Sequence, residues 1–117
     1  MNNFKKVSIA EVARQELHDV LGLTGAEVSV NTLPAGVGVP FVHSHKQNEE
    51  IYAILDGQGT AVIDSASVSL KAGDWIRISP SAKRQFFASA DTELKYLCIQ
   101  VKEGSLEGYT LTDAIVL

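Results

Sequence analysis

Residues 40–57, PFVHSHKQNEEIYAILDG, are the stretch around which the rest of the chain is arranged. His43 and His45 stand two apart in an apolar run, and on an extended strand that spacing puts both imidazoles on one face, one pleat apart. Two neutral imidazoles on a common face can share a metal ion. Glu49 and Glu50 follow, heading EIYAILD (50–56), a run with strand composition. Either carboxylate could fold back to the imidazoles across an antiparallel pair.

Outward from this stretch the chain reads as short strands cut by turn residues. Downstream, Gly57 and Gly59 make a turn, 60–63 runs back, Asp64 and Ser65 turn again, and 67–70 follows. Gly73 and Asp74 lead into 75–78, a loop around Pro80 comes next, and 84–89 and 94–101 complete the set. Trp75 is expected to pack in the core and Arg77 to face solvent. Upstream, 27–32 alternates, with Val28 and Val30 on one face and Glu27, Ser29 and Asn31 on a wet one. Ahead of it, Ser8 and Glu11 match a capping box, and Ile9, Val12, Ala13, Leu17, Val20 and Leu21 recur at helical spacing, predicting a helix over 8–22 that Gly22 ends. Both faces of 94–101 are apolar, which an exposed antiparallel strand avoids. One helix cannot cover every strand, so a homodimer is expected, and the tail 109–117 is apolar enough for an ordered strand.

The 117 residues fit one domain, 1–117, with the barrel over 27–117. With 45% hydrophobic and 21% charged residues the chain can build a core. Its net charge of −4 and scattered Lys and Arg exclude the footprint of a nucleic-acid binder. The single cysteine, Cys98, between Leu97 and Ile99, reads as a packed thiol. With no apolar run of about 18 residues, no membrane span is expected. The start lacks the apolar stretch of a signal peptide, so the expected location is cytoplasmic.

The segment from Gly36 through His43, His45 and Glu50 to Gly57 resembles the first motif of the cupin family: glycine, His-x-His, three or four residues, Glu, six residues, Gly. The six-residue gap selects Glu50 over Glu49. Lys71-Ala72-Gly73-Asp74 is similar to the opening of the second cupin motif, but Ser79, Ser81, Arg84 and Ala88 stand at its proline, glycine, histidine and asparagine positions. The resemblance implies an all-β fold, a cupin-type jelly-roll β-barrel with one N-terminal α-helix. It implies a divalent metal (Fe, Mn, Zn or Ni) on His43, His45 and Glu50, and a small-molecule ligand. Arg84, Tyr52 and Phe86 are the candidate ligand contacts. An enzyme of this kind would be metal-dependent, such as a dioxygenase or an isomerase. Two readings stay open. Three ligands can suffice for a metal, with Arg84 holding an anionic group of the ligand. Alternatively Arg84 pairs with Glu50, and a salt bridge replaces the metal in a pocket that binds without catalysis. Pro80 sits one place beyond the family's proline, and a one-residue slip would turn Gln85 inward instead.

Overall fold

The computed structural model describes residues 3–117, so Met1 and Asn2 of the expected domain lie outside the described residues. In chain order the elements are β1 (Arg14–Glu16), α1 (His18–Leu21), β2 (Glu27–Leu33), β3 (Asn48–Ile63), β4 (Ala66–Lys71), β5 (Trp75–Ile78), β6 (Arg84–Ala88), β7 (Leu94–Lys102) and α2 (Thr110–Asp113). Every strand pair is antiparallel.

The 16-residue β3 belongs to two sheets. Up to Gly57 it runs between β7 and β5, in a sheet ordered β1–β2–β7–β3–β5; from Gln58 it runs between β6 and β4. The turn expected at Gly57 and Gly59 is therefore corrected: the chain bends there and does not reverse. Leu55 has no partner in the ladder to β7, and Gly57 takes φ +83°. A bulge followed by a left-handed glycine raises the local twist enough for one strand to pass from one sheet into the other. The reversal comes at Asp64 and Ser65, with φ of 47° and 71°, as a two-residue hairpin into β4 requires.

Between the sheets lies one core that includes Tyr52, Ile54, Ala61, Leu70, Phe86 and Leu94. Its source is strict alternation: residues 84, 86 and 88 of β6 and 94, 96 and 98 of β7 point inward. Trp75 does not join them. Ile78 faces the core, so the period of two turns Trp75 outward with Arg77, and Trp75 is 65% exposed.

Three further expectations are corrected. The helix over 8–22 is a single turn at His18–Leu21, and Arg14–Glu16 are a strand paired with Asn31–Ser29. Helical periodicity lost because the free edge of β2 offers these residues a ladder. No Ser8–Glu11 capping box forms; the Ala10 N–H instead donates to Gln15 Oε1 at 2.8 Å. The wet face of β2 is the inner one: Ser29 is 1% and Asn31 5% exposed, and Asn31 Nδ2 donates to Ser29 Oγ at 3.0 Å. Burying these polar groups is tolerable because they are hydrogen-bonded. Finally, 109–117 is not a strand. The Tyr109 N–H donates to Thr112 Oγ1 at 3.2 Å at the start of α2, and Leu111, Ile115, Val116 and Leu117 are exposed. No neighbouring strand takes up their backbone.

The outer face of β7, with Leu97, Ile99 and Val101, stays only half-buried. Among the described residues, no helix is long and apolar enough to cross a membrane.

Candidate metal centre

His43 and His45 do not lie on a regular strand. Pro40 has no N–H to continue a ladder, so the segment touches β6 at intervals. The Val39 N–H donates to the Phe86 carbonyl at 2.9 Å. His43 and Arg84 exchange backbone hydrogen bonds of 3.1 and 3.0 Å, and the His45 N–H donates to the Pro80 carbonyl at 2.7 Å. The expected pairing of this segment with the strand of Glu50 is thus corrected: it docks on β6. The two imidazoles nevertheless converge, with ring centroids 5.1 Å apart and planes at 85°.

Glu50 comes up from β3 between β7 and β5, opposite Gln100 and Ile78. Ligand atoms of His43, His45 and Glu50 all lie within 4.8 Å of one another. His43 Nε2 is 3.6 Å from Glu50 Oε1, and His45 Nε2 is 3.0 Å from Glu50 Oε2. Although close, His45 Nε2 is not aligned for a hydrogen bond and is left buried with no partner. Such an orphaned nitrogen is costly unless something else takes its lone pair. Two imidazoles and one carboxylate aimed at a common point are a donor set that suits Zn, Mn, Ni or non-haem Fe. The residues therefore fit a divalent ion. Glu49 is not part of the cluster.

The carboxylate is heavily supported. Tyr52 Oη donates to Oε1 at 2.6 Å and Cys98 Sγ to Oε2 at 3.2 Å. Burial pushes the Glu50 carboxyl up. The hydrogen bonds from Tyr52 and Cys98, with the charges of His45 and Arg84, outweigh that and hold it below the usual glutamate range, so Glu50 is an anion at neutral pH. Burial also pushes the His43 imidazole down; the Glu50 charge opposes this, while His45 and Arg84 reinforce it. The net shift is downward, which keeps His43 neutral at pH 7, the form that binds a metal. Cys98, raised to about 12 by burial and by Glu50, stays a thiol and serves as a donor to the carboxylate.

Arg84 is fully buried on the inward face of β6, and Gln85 is half-buried with its amide on the Val39 carbonyl at 2.7 Å. The Arg84 guanidinium donates to the Ser79 carbonyl at 2.6 Å and brings Nη1 to 3.6 Å from Glu50 Oε1, leaving Nε and Nη1 without hydrogen-bond partners.

A cavity of about 510 Å³ opens over the cluster. Tyr52 and Phe86 line it, their rings stacked at 4.2 Å, while Arg84 lies behind the wall and does not reach the open space. Sequence reasoning missed the other lining side chains, among them Arg14, Asn31, Tyr96 and Gln100. Arg14 and Asn31 were hidden by the reading of 8–22 as a helix and of the Asn31 face as wet. The alternation of β7 already put Tyr96 on the face of Cys98.

Comparison with known proteins agrees with this architecture. Residues 29–100 match the family model described as Cupin domain. The crystal structure of a cupin protein from Bacteroides fragilis is 63% identical, with a TM-score of 0.97 over 100% of this chain and 99% of that one. A Cupin 2 conserved barrel domain protein from Salinispora arenicola is 18% identical with a TM-score of 0.68, covering 85% of this chain and 92% of that one, a likeness of fold. An uncharacterized protein of Methanocaldococcus jannaschii is 37% identical over 57 residues, which are 49% of this chain and 46% of that protein; the match thus spans less than half of the relative's length. A family match across most of the strands, with a near-superimposable relative over the whole chain, shows that this chain belongs to the cupin family.

Proposed function

We propose that this cupin binds one divalent metal ion on His43, His45 and Glu50 and binds or transforms a small anionic metabolite in the cavity above it. The observation that carries the reading is the convergence of three ligand atoms within 4.8 Å, with His45 Nε2 buried and unpartnered among them. When bound, the ion would act as a Lewis acid on an oxygen of the ligand. The chain's own residues do the rest. Tyr52 and Cys98 fix the carboxylate rotamer by donating to its two oxygens, and the stacked rings of Tyr52 and Phe86 exclude water from one wall. Metal analysis of untagged protein, as purified and after loading with Zn(II), Mn(II), Fe(II) or Ni(II), tests this. We expect close to one ion per chain, and in His45→Ala only background metal with a cooperative melt retained. Absence of stoichiometric metal from the loaded parent would reject the reading.

A second reading has its own observation. Arg84 Nη1 lies 3.6 Å from Glu50 Oε1, so the guanidinium already offers the carboxylate a counter-charge, and the protein would be a metal-free ligand-binding module. Both readings place the protein in the cytoplasm as a homodimer. The support for a dimer is the half-buried face of Leu97, Ile99 and Val101, which no helix among the described residues covers. Sedimentation at micromolar concentration should give a dimer, and Ile99→Lys a monomer; a monomeric parent sinks that part of the proposal.

A further inference from the structure

Arg84 occupies the family's histidine position, but it is fully buried, holds the Ser79 carbonyl, and does not line the open space. A ligand in the cavity cannot reach it without displacing the wall. Among the described residues, the only Lys or Arg that lines the cavity is Arg14, on β1.

Arg14 is held there by a purpose-built pair. Its Nη1 donates to Asn31 Oδ1 at 2.8 Å, and Asn31 Nδ2 in turn donates to Ser29 Oγ at 3.0 Å. Asn31 and Ser29 are buried on the inward face of β2, where apolar side chains would have packed without needing partners. What this arrangement achieves is to aim one guanidinium across the mouth. Among the described residues its remaining donors have one acid close by, Glu16, whose Oε1 is 3.4 Å from Arg14 Nε and which is itself exposed enough to swing away. Arg14 is about half exposed, so a ligand can approach it from solvent.

Much of the wall beyond Arg14 is apolar, with Asn31, Thr32, Gln85 and Gln100 as its neutral polar members. Leu33, Val39, Phe41, Phe86 and Tyr96 line it, and Phe86 and Tyr96 stack at 5.4 Å. In the ladder, Arg14 lies opposite Asn31 and Asn31 opposite Tyr96, while Glu50 lies opposite Gln100, four residues further along β7. With strands about 4.8 Å apart and residues about 3.3 Å apart, and with both side chains reaching inward, the gap is on the order of 10 Å. That is the length of a small organic acid.

We infer that Arg14 selects the ligand and that the ligand is a monocarboxylate with an apolar or aromatic body. Its carboxylate sits in the Arg14 fork and its body lies along Tyr96 and Phe86, with the far end over His43 and His45. A single guanidinium matches the charge and planar geometry of one carboxylate. A phosphate dianion would ask for a second Arg or Lys beside Arg14, and among the described residues no other one lines the cavity. This rests on the cavity being a small-molecule site, the part of the proposed function that both of its readings share, and not on whether a metal is bound.

Calorimetric titration of the full chain, as purified and after Zn(II) loading, with phenylacetate against phenylacetamide and hexanoate against hexanamide tests it, with phenyl phosphate as a third anion. Metal content is measured on the same samples. We expect each carboxylate to bind about tenfold tighter than its amide, as a charge-assisted bidentate pair implies. Arg14→Gln should erase the preference with metal content unchanged and a cooperative melt retained, and Arg14→Lys should keep part of it. A preference that survives Arg14→Gln, no preference in either pair, or no binding of any probe overturns the inference. Phenyl phosphate binding tighter than phenylacetate through Arg14 overturns the carboxylate assignment. If the parent takes up no metal yet shows the Arg14-dependent preference, the metal site fails while the inference stands.

Discussion

Replacing Gly57 by alanine should cost about 4 kcal/mol, near the upper end for a single substitution. Two effects combine. Gly57 has φ +83°, a conformation that costs an L-residue about 1–2 kcal/mol. A Cβ built there would also fall on the Glu93 carbonyl oxygen. That oxygen belongs to the backbone and accepts a hydrogen bond from the Gln58 N–H at 3.3 Å, so relief means moving the entry to β7 away from β3. Gly73 is the control. Its φ is +95°, but a Cβ there meets nothing within 4 Å, so Gly73→Ala should lose only the conformational part, about 1 kcal/mol. Urea midpoints of the two variants measure the difference. Equal losses would mean that the Glu93 contact relaxes freely, and the account of how β3 turns its corner would be wrong.

The second large effect is expected at Arg84. Truncation to alanine removes a fully buried side chain, strips the Ser79 carbonyl of its donor and leaves the Glu50 carboxylate without its guanidinium. Breaking a buried pair from one side costs about 3 kcal/mol. Arg84→Met, which keeps most of the volume, separates the charge from the cavity. If His43, His45 and Glu50 hold an ion, the ion takes over as the counter-charge. Zn(II) or Mn(II) at one hundred times its dissociation constant then returns about 2.7 kcal/mol. The variant should also bind the ion more tightly than the parent, because a cation has been removed from beside the site. Thermal melts with and without Fe(II), Mn(II) and Zn(II) read this directly. A loss that no metal restores favours the salt-bridged pocket. A variant as stable as the parent would contradict both readings.

The cluster of His43, His45 and Glu50 was legible because the information is local. A two-residue spacing and a fixed gap to a carboxylate bring His43, His45 and Glu50 to one place, even though the histidines dock on β6 and not on the strand of Glu50. Arg84 was singled out by its place in the second motif, with the register left open to Gln85; alternation along β6 turns Arg84 inward with Phe86 and Ala88, behind the cavity wall. What failed was decided by distant partners. The helical periodicity of residues 8–22 is real as a pattern, yet the open edge of β2 claims Arg14–Glu16. The polar residues Ser29 and Asn31 were assigned to water because polarity ordinarily marks the wet face. Here they face inward, Asn31 accepting from Arg14 and donating to Ser29. Gly57 and Gly59 look like a hairpin in sequence, and only the continuous pairing of β3 with β7 and then with β4 and β6 distinguishes a corner from a reversal.

The double membership of β3 has a consequence for synthesis. The second sheet, β4–β3–β6, can close once Ala88 has left the ribosome, but the first half of β3 then still lacks its partner on the β7 side. So does β2, whose free edge across from β1 is the same missing strand. Until residue 102 emerges, two unpaired edges face each other across the gap that β7 will fill, and Glu50 stands without the Cys98 donor. From the emergence of residue 63 to that of residue 102 the nascent protein must carry these open edges, the kind that recruit other chains. β7 is therefore also the clasp: the supported carboxylate and the protected sheet come into being together.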